Sequence, residues 1–161
     1  MRIFLILFCC YFIVACENNE QAKVSQIPEV IQHGEECHVC GMVINKFIGP
    51  KGQAFGHGQS HSVKFCSTIE LFSWALQPEN SAKISQLFVH DMTEDHWMNP
   101  IKNPYIDAKK AWYVWGHKRR GAMGKTLASF KEKSAAEVFA KQYGGQVYGY
   151  PQIDLALLAN Q

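Results

Sequence analysis

The sequence predicts an α+β fold made of two similar small ββαβ-type halves, preceded by a signal peptide and a flexible tether. Three observations predict it. Short β-branched and aromatic runs alternate with only two helical segments. Both helical segments open on a serine followed three residues later by glutamate, Ser67–Glu70 and Ser134–Glu137. One offset of 67 residues aligns those pairs and also matches Leu71 to Val138 and Phe72 to Phe139, the mark of an internal duplication.

The elements follow in chain order. Met1 and Arg2 give a short positive start to an uncharged, mostly apolar stretch from Ile3 to Val14. A membrane span needs about 20 such residues, so this stretch reads as the core of a signal peptide. It ends at Ile13-Val14-Ala15-Cys16, which resembles a bacterial lipobox, with Cys16 acylated and becoming the mature N-terminus. More than one acyl chain makes such an anchor stable. The expected location is therefore the periplasmic face of a bacterial membrane. Glu17, in place of an aspartate, favours the outer over the inner membrane.

Residues 16–36 are polar without sustained periodicity and read as a tether. The first half is placed at 37–104. Within it, Gln53 to Phe65 reads as a hairpin around Gly56 and Gly58, Thr68–Leu76 as a helix stopping before Pro78, and Leu87-Phe88-Val89 as a strand. Asp91–Asn103 reads as a connecting loop. The second half, 105–151, has the aromatic strand Ala111–Trp115, a partner strand within Ala122–Phe130, a helix from Ser134 to Gly144-Gly145, and the strand Gln146-Val147-Tyr148. Residues 152–161 read as a C-terminal tail.

Composition excludes several functions. The chain of 161 residues is 47% hydrophobic with a formal net charge of +2, a globular composition with no marked charge bias. Lys118-Arg119-Arg120 is too short a cluster to track a phosphate backbone, so nucleic acid is not an expected partner. No G-x-S-x-G elbow or H-E-x-x-H helix occurs, and no enzymatic activity is expected.

Cysteine arithmetic points to chemistry of another kind. Cys9 and Cys10 leave with the signal peptide and Cys16 carries lipid, so Cys37, Cys40 and Cys66 remain. Three cysteines cannot all pair in disulfides. Two thiols, the His38 imidazole and the Met42 thioether lie together in Cys37-His38-Val39-Cys40-Gly41-Met42. Such soft donors favour Cu(I). A structural zinc site would require a second cysteine or histidine pair, which the chain lacks. A thioredoxin-like redox pair remains open, although Gly-Met-Val-Ile is a poor helix start, and so does a plain Cys37–Cys40 staple.

A family resemblance gathers these pieces. Cys37-x-x-Cys40-Gly41-Met42-x-Ile44 precedes Gly49-Pro50-Lys51-Gly52-Gln53 and a Trp/Tyr-Val strand. Met123-Gly124 then stands ahead of the helix containing Phe130-Lys131, Ala136 and Phe139-Ala140. Over about Glu35 to Pro151 the chain resembles NosL, the lipoprotein accessory factor of nitrous oxide reductase. The resemblance implies a Cu(I)-binding periplasmic metallochaperone whose partner is the reductase assembly machinery, a membrane ABC-type complex with its periplasmic subunit. It also implies a fold of two ββαβ-type halves. Cys37, Cys40, Met42 and Met123 are carried over as metal ligands, with His38, Cys66, Met92 and His117 as further candidates. Cys66 stands where the family would have an acidic or small polar residue. It is open between a ligand, a disulfide partner and a buried thiol, the usual fate of an isolated cysteine. The alternatives are a periplasmic thiol-disulfide oxidoreductase acting through Cys37 and Cys40, or a lipoprotein adaptor without metal.

Overall fold

The computed structural model describes residues 26–160. The signal peptide and Cys16 lie outside that range.

The first half opens with strand β1 (Gly52–Gly56), which turns back into β2 (Val63–Phe65). Helix α1 (Thr68–Ala75) follows, then a single helical turn, α2 (Pro78–Ser81), and β3 (Ile84–His90). A fourth short strand, β4 (Tyr105–Asp107), pairs with β3, so the antiparallel sheet runs β2-β1-β3-β4. The second half repeats the plan with β5 (Trp112–Trp115), β6 (Ala128–Phe130), α3 (Lys133–Tyr143) and β7 (Gln146–Gly149), in the order β6-β5-β7. In each half the first strand lies between the second and the strand that follows the helix, and the helix covers one face. The two ββαβ units expected from sequence are present.

Their equivalence follows a different register from the expected one. Ser67 does cap α1, its hydroxyl accepting from the Glu70 N–H at 3.2 Å. Helix α3, however, begins after Glu132 with no side-chain cap, which places Ser134 inside the first turn, and Glu137 pairs with Lys133 instead. The strand ends Phe65 and Phe130 occupy equivalent positions opposite Gly52 and Trp112, and the helices start at Thr68 and Lys133. This is two residues out of step with the serine match. It explains why Leu71 is fully buried while its supposed counterpart Val138 is 66% exposed.

β5 is buried on both faces, which is why its aromatic run shows no polar alternation. Tyr113 and Trp115 join the main core with Phe72, Leu71 and Val89, whereas Val114 faces a second core with Phe130, Ala136 and Phe139 under α3. The main core is shared by both halves: Phe72 meets Tyr113 edge-on at 5.2 Å. The partner strand is shorter than the expected Ala122–Phe130, because residues 116–127 form a loop closed by Gly121 and Gly124.

Three expected boundaries shift. Residues 26–36 are no free tether. Glu29 trades main-chain hydrogen bonds with the fully buried Gln53 side chain, its carboxylate accepts from Lys64 at 2.8 Å and from the Ser62 hydroxyl, and Ile31 is buried. A polar side chain in the sheet interior needs such partners, and this segment supplies them. The limit between the halves falls after Asp107, since β4 completes the first sheet. The C-terminal stretch is no tail either: helix α4 (Leu155–Ala159), capped by Asp154, lies against α1 with Ile153 and Leu158 buried. No helix among the described residues is long and apolar enough to cross a membrane.

Two histidines are held neutral inside the fold. Burial and the nearby Lys51 charge push His90 down to about 3. Burial pushes His117 down to about 4, against the nearby Thr126 backbone and with help from the Arg119 charge. Both values lie below the unfolded one near 6.5. Stability is therefore complete above about pH 6.5 and is lost as pH falls toward 4 and then 3, at about 1.4 kcal/mol per pH unit for each histidine. Urea unfolding at about pH 7, 6 and 5 should show this decline. A flat profile would contradict it.

Candidate metal centre

The centre begins with a tight loop. The Cys37 N–H donates to the Met42 carbonyl at 2.8 Å, and the Gly41 N–H donates back to the Cys37 carbonyl at 2.9 Å. Closing so short a circuit requires a residue in the left-handed region. Gly41 takes it at φ +69°, with open space where a side chain would be, so conformation and not crowding demands glycine here. The flanks of the loop meet in a bridge between Glu36 and Val43. The His38 N–H then donates to the Lys64 carbonyl at 2.9 Å, which pins the loop to β2.

That pin brings the third cysteine in. Cys66 follows β2 directly, precedes the α1 cap Ser67 and is buried in the same core as Cys37. The sulfurs of Cys37, Cys40 and Cys66 all lie within 4.8 Å of one another, and Cys40 Sγ is 3.6 Å from Cys66 Sγ. All three are free thiols; Cys37 and Cys66 are buried and Cys40 is half-buried. The staple between Cys37 and Cys40 is not formed. Met42 is half-buried and packs against the same core.

The thiols do not share their protons evenly. The Cys66 S–H and the backbone N–H groups of Cys40, Cys66 and Val39 hydrogen-bond Cys37, whose pKa they bring down to about 4 against the cost of burial. Cys66 is raised, by its bond to the Cys37 thiolate and by burial. Both shifts run in the direction that favours the anion at Cys37 and the proton on Cys66. The amino end of α1 beside Cys66 adds a favourable dipole.

Lys51 stands behind this anion. It is fully buried, and its ammonium donates to the Cys66 carbonyl at 2.8 Å and to the Ile48 carbonyl at 3.0 Å. Burial lowers it to about 8, opposed by the negative charge of the neighbouring Cys66–Cys37 thiol pair. Glu70, half-buried in the first turn of α1, is raised by burial and by the Cys37 charge. The residue types around the cysteines signalled neither role. Lys51 stood in the Gly49–Gln53 motif, where nothing marked it as the cation behind the thiols.

The other candidates are placed variously. Met123 stands 51% exposed at the tip of the β5–β6 loop, whose neighbour Ala122 packs against the core that holds the cysteines. The His38 ring is turned onto Phe65 and Trp74, edge-on at 5.9 and 5.4 Å. Met92 and His117 are not brought to the thiols. Met92 is buried in the second core with its sulfur accepting from Asn103 at 3.4 Å, and His117 is wedged there between Trp97 and Phe139. Both belong to that core because Trp97 and Phe139 need ring neighbours that leave no void. Met98 is 73% exposed on the connecting loop.

Three converging thiols with one preformed thiolate suit a soft monovalent or divalent ion. Among the described residues the cluster holds three thiols, not the tetrahedral set of four that a structural zinc site uses.

Residues 28–158 match the family model described as NosL. The copper-binding lipoprotein NosL of Stutzerimonas stutzeri is 43% identical over 155 residues, covering 96% of this chain and 80% of that protein. The copper-binding lipoprotein NosL of Achromobacter cycloclastes is 30% identical, covering 98% and 82%. Among solved structures, the copper chaperone NosL from Shewanella denitrificans superposes with a TM-score of 0.78 at 40% identity, covering 82% of this chain and 98% of that one. The solution structure of apo-NosL from Achromobacter cycloclastes gives a TM-score of 0.53 at 31% identity, covering 68% and 90%.

In metal-free, reduced protein, thiolate absorbance in the ultraviolet should report about one thiolate per chain at neutral pH, persisting until pH approaches 4. Cys37→Ser should abolish that low-pH signal, and Cys66→Ala should move it upward by removing the S–H donor. No thiolate below about pH 7 in the parent chain would contradict this assignment.

Proposed function

The chain belongs to the NosL family, and on that premise we propose that it is a metallochaperone that carries one Cu(I) ion for the maturation of nitrous oxide reductase. The observation that carries this reading is the convergence of the Cys37, Cys40 and Cys66 sulfurs within 4.8 Å of one another. A soft ion that reaches the centre finds its strongest donor at Cys37. Cys40 and Cys66 then exchange their protons for the metal, so loading releases protons to solvent. Lys51 offsets part of the accumulated negative charge.

The proposed ligand set is Cys37, Cys40 and Cys66, with Met42 and Met123 as thioethers through which the ion enters and leaves. Cys66, which its position alone marks as an ordinary buried thiol, takes the part of a ligand because of its 3.6 Å approach to Cys40. Residues 1–15 would be the leader and Cys16 the lipid-bearing residue. The anchored domain would then work at the periplasmic face of a membrane, the outer one by the Glu17 argument. Its partner would be the reductase assembly machinery, with an ABC-type membrane complex and a periplasmic subunit.

Cys40 and Cys66 are also near enough for thiol exchange, which keeps a thiol-disulfide oxidoreductase as the second reading. Metal analysis of anaerobically purified protein separates the two. The carrier should hold one copper per chain, and a competition titration with a Cu(I) chelator should show the Cys37→Ser/Cys40→Ser double variant weakened by more than about 100-fold, beyond the loss usual for outer-shell changes. An unchanged affinity would sink the carrier reading. Disulfide exchange with a substrate and no copper would favour the oxidoreductase.

A further inference from the structure

The loop from Gly116 to Leu127 carries four cations, Lys118, Arg119, Arg120 and Lys125, and no anion. In a chain whose net charge is only +2, this is a local concentration of positive charge. Arg119 is accounted for within the fold. It pairs with Asp95, and its guanidinium lies over Trp97 and Tyr143 at 4.4 and 4.9 Å. Lys118, Arg120 and Lys125 are exposed and form no ion pair with any described residue.

The loop is also held in place. Gly121 and Gly124 exchange both main-chain hydrogen bonds, and the Trp97 indole donates to the Arg120 carbonyl at 2.8 Å. Its root is tied to the metal-bearing half, because the Thr68 hydroxyl donates to the Leu127 carbonyl at 2.6 Å and meets the Thr126 hydroxyl at 2.9 Å. Thr68 is two residues beyond Cys66. Gly121 packs so closely on Gly49 that a Cβ there would come within 3.0 Å of its Cα. Ala122 faces the core of the cysteines and Met123 faces out. Three unpaired cations thus flank an exposed thioether on a loop whose root is bonded two residues from Cys66, and the more accessible members of the centre, Cys40 and Met42, are half-buried.

We infer that this basic loop is the docking surface for an acidic protein that carries soft metal donors of its own, with Met123 at the middle of the contact. The inference rests on the carrier reading and names the chemistry of its partner. An anionic lipid surface would answer the cations alone and would bring no ligand to the thioether or to Cys40, so the observations favour a protein. Transfer across such a contact is ligand exchange without a change of oxidation state. Each copper–sulfur bond that breaks is replaced by one to the acceptor, and the thiols left behind take up protons. The cations raise the rate of productive encounter, a steering effect that salt screens.

The test uses the copper-loaded full chain and two synthetic acceptors. One is an acidic peptide bearing methionines, and the other is the same peptide with every aspartate replaced by asparagine. At low ionic strength, transfer to the acidic peptide should be about 10-fold or more faster, and the advantage should vanish at high salt. The Lys118→Gln/Arg120→Gln/Lys125→Gln variant should lose the advantage while keeping parental Cu(I) affinity in a chelator competition. Equal rates to both peptides, with copper bound normally, would overturn the docking surface and leave the carrier reading standing. Loss of copper affinity in the triple variant would also overturn it, by assigning the loop to the binding site itself. So would binding to vesicles of anionic phosphatidylglycerol that depends on the three cations while peptide transfer does not. A parent chain that binds no copper would fail both readings at once.

Discussion

A single main-chain hydrogen bond, from the His38 N–H to the Lys64 carbonyl, joins the loop bearing two cysteines to the strand that the third directly follows. Without it Cys37 and Cys40 would belong to an independent turn, and Cys66 would be an isolated thiol at the head of α1. The bond depends in turn on β2 being held flat against β1 and clamped from outside. The clamp is the segment from Gln26 to Glu36, where Glu29 and Glu35 both accept from the Lys64 ammonium, at 2.8 and 2.6 Å. That ammonium is nearly buried, and a buried cation is tolerated when it is paired and hydrogen-bonded. Three negative groups face β2 from two directions, the two carboxylates on its outer side and the Cys37 thiolate within. Each has a lysine to answer it, Lys64 outside and Lys51 inside.

Much of this was legible in the sequence where a local rule acted alone. The Ser67 cap, the stop before Pro78, the Gly144 terminus at φ +79° and the unbroken apolar run of β5 each follow from the chemistry of neighbouring residues. The two ββαβ halves were legible as well, although the serine match that pointed to them is out of register. Capping residues are interchangeable between helices, whereas buried positions are not. Phe65 and Phe130 carry the true correspondence because both strand ends enter the core.

Long-range pairing hid the rest. Residues 26–36 look like a tether because their polar side chains match partners on β1 and β2 that no local pattern reveals. Cys66 looked like a buried thiol for the same reason, and Met92 and His117 looked like ligands because side-chain type says nothing about which of two cores receives them. The CxxCGM loop lay between these cases. Its glycine and its donors are readable in place, but the third sulfur comes from 26 residues beyond Cys40.

The site combines two demands that usually conflict. Tight holding calls for buried, converging sulfurs, and fast release calls for a ligand that a partner can reach. Here the depth of the ligands is graded. Cys37 and Cys66 are buried, Cys40 and Met42 are half-buried, and Met123 is exposed on a loop rooted at Thr68. An ion held by the deep pair can shift outward one sulfur at a time, so that no step leaves it without donors. The charge balance supports the same direction. Lys51 is sealed behind the deep thiolate, and the free cations of the β5–β6 loop stand at the exposed end. Charge is therefore compensated internally where the ion rests and presented to a partner where it departs. A carrier with all its sulfurs equally buried would hold copper as well and would have to open its core to give it up, at the energetic cost of exposing Phe65, Leu71 and their neighbours to water.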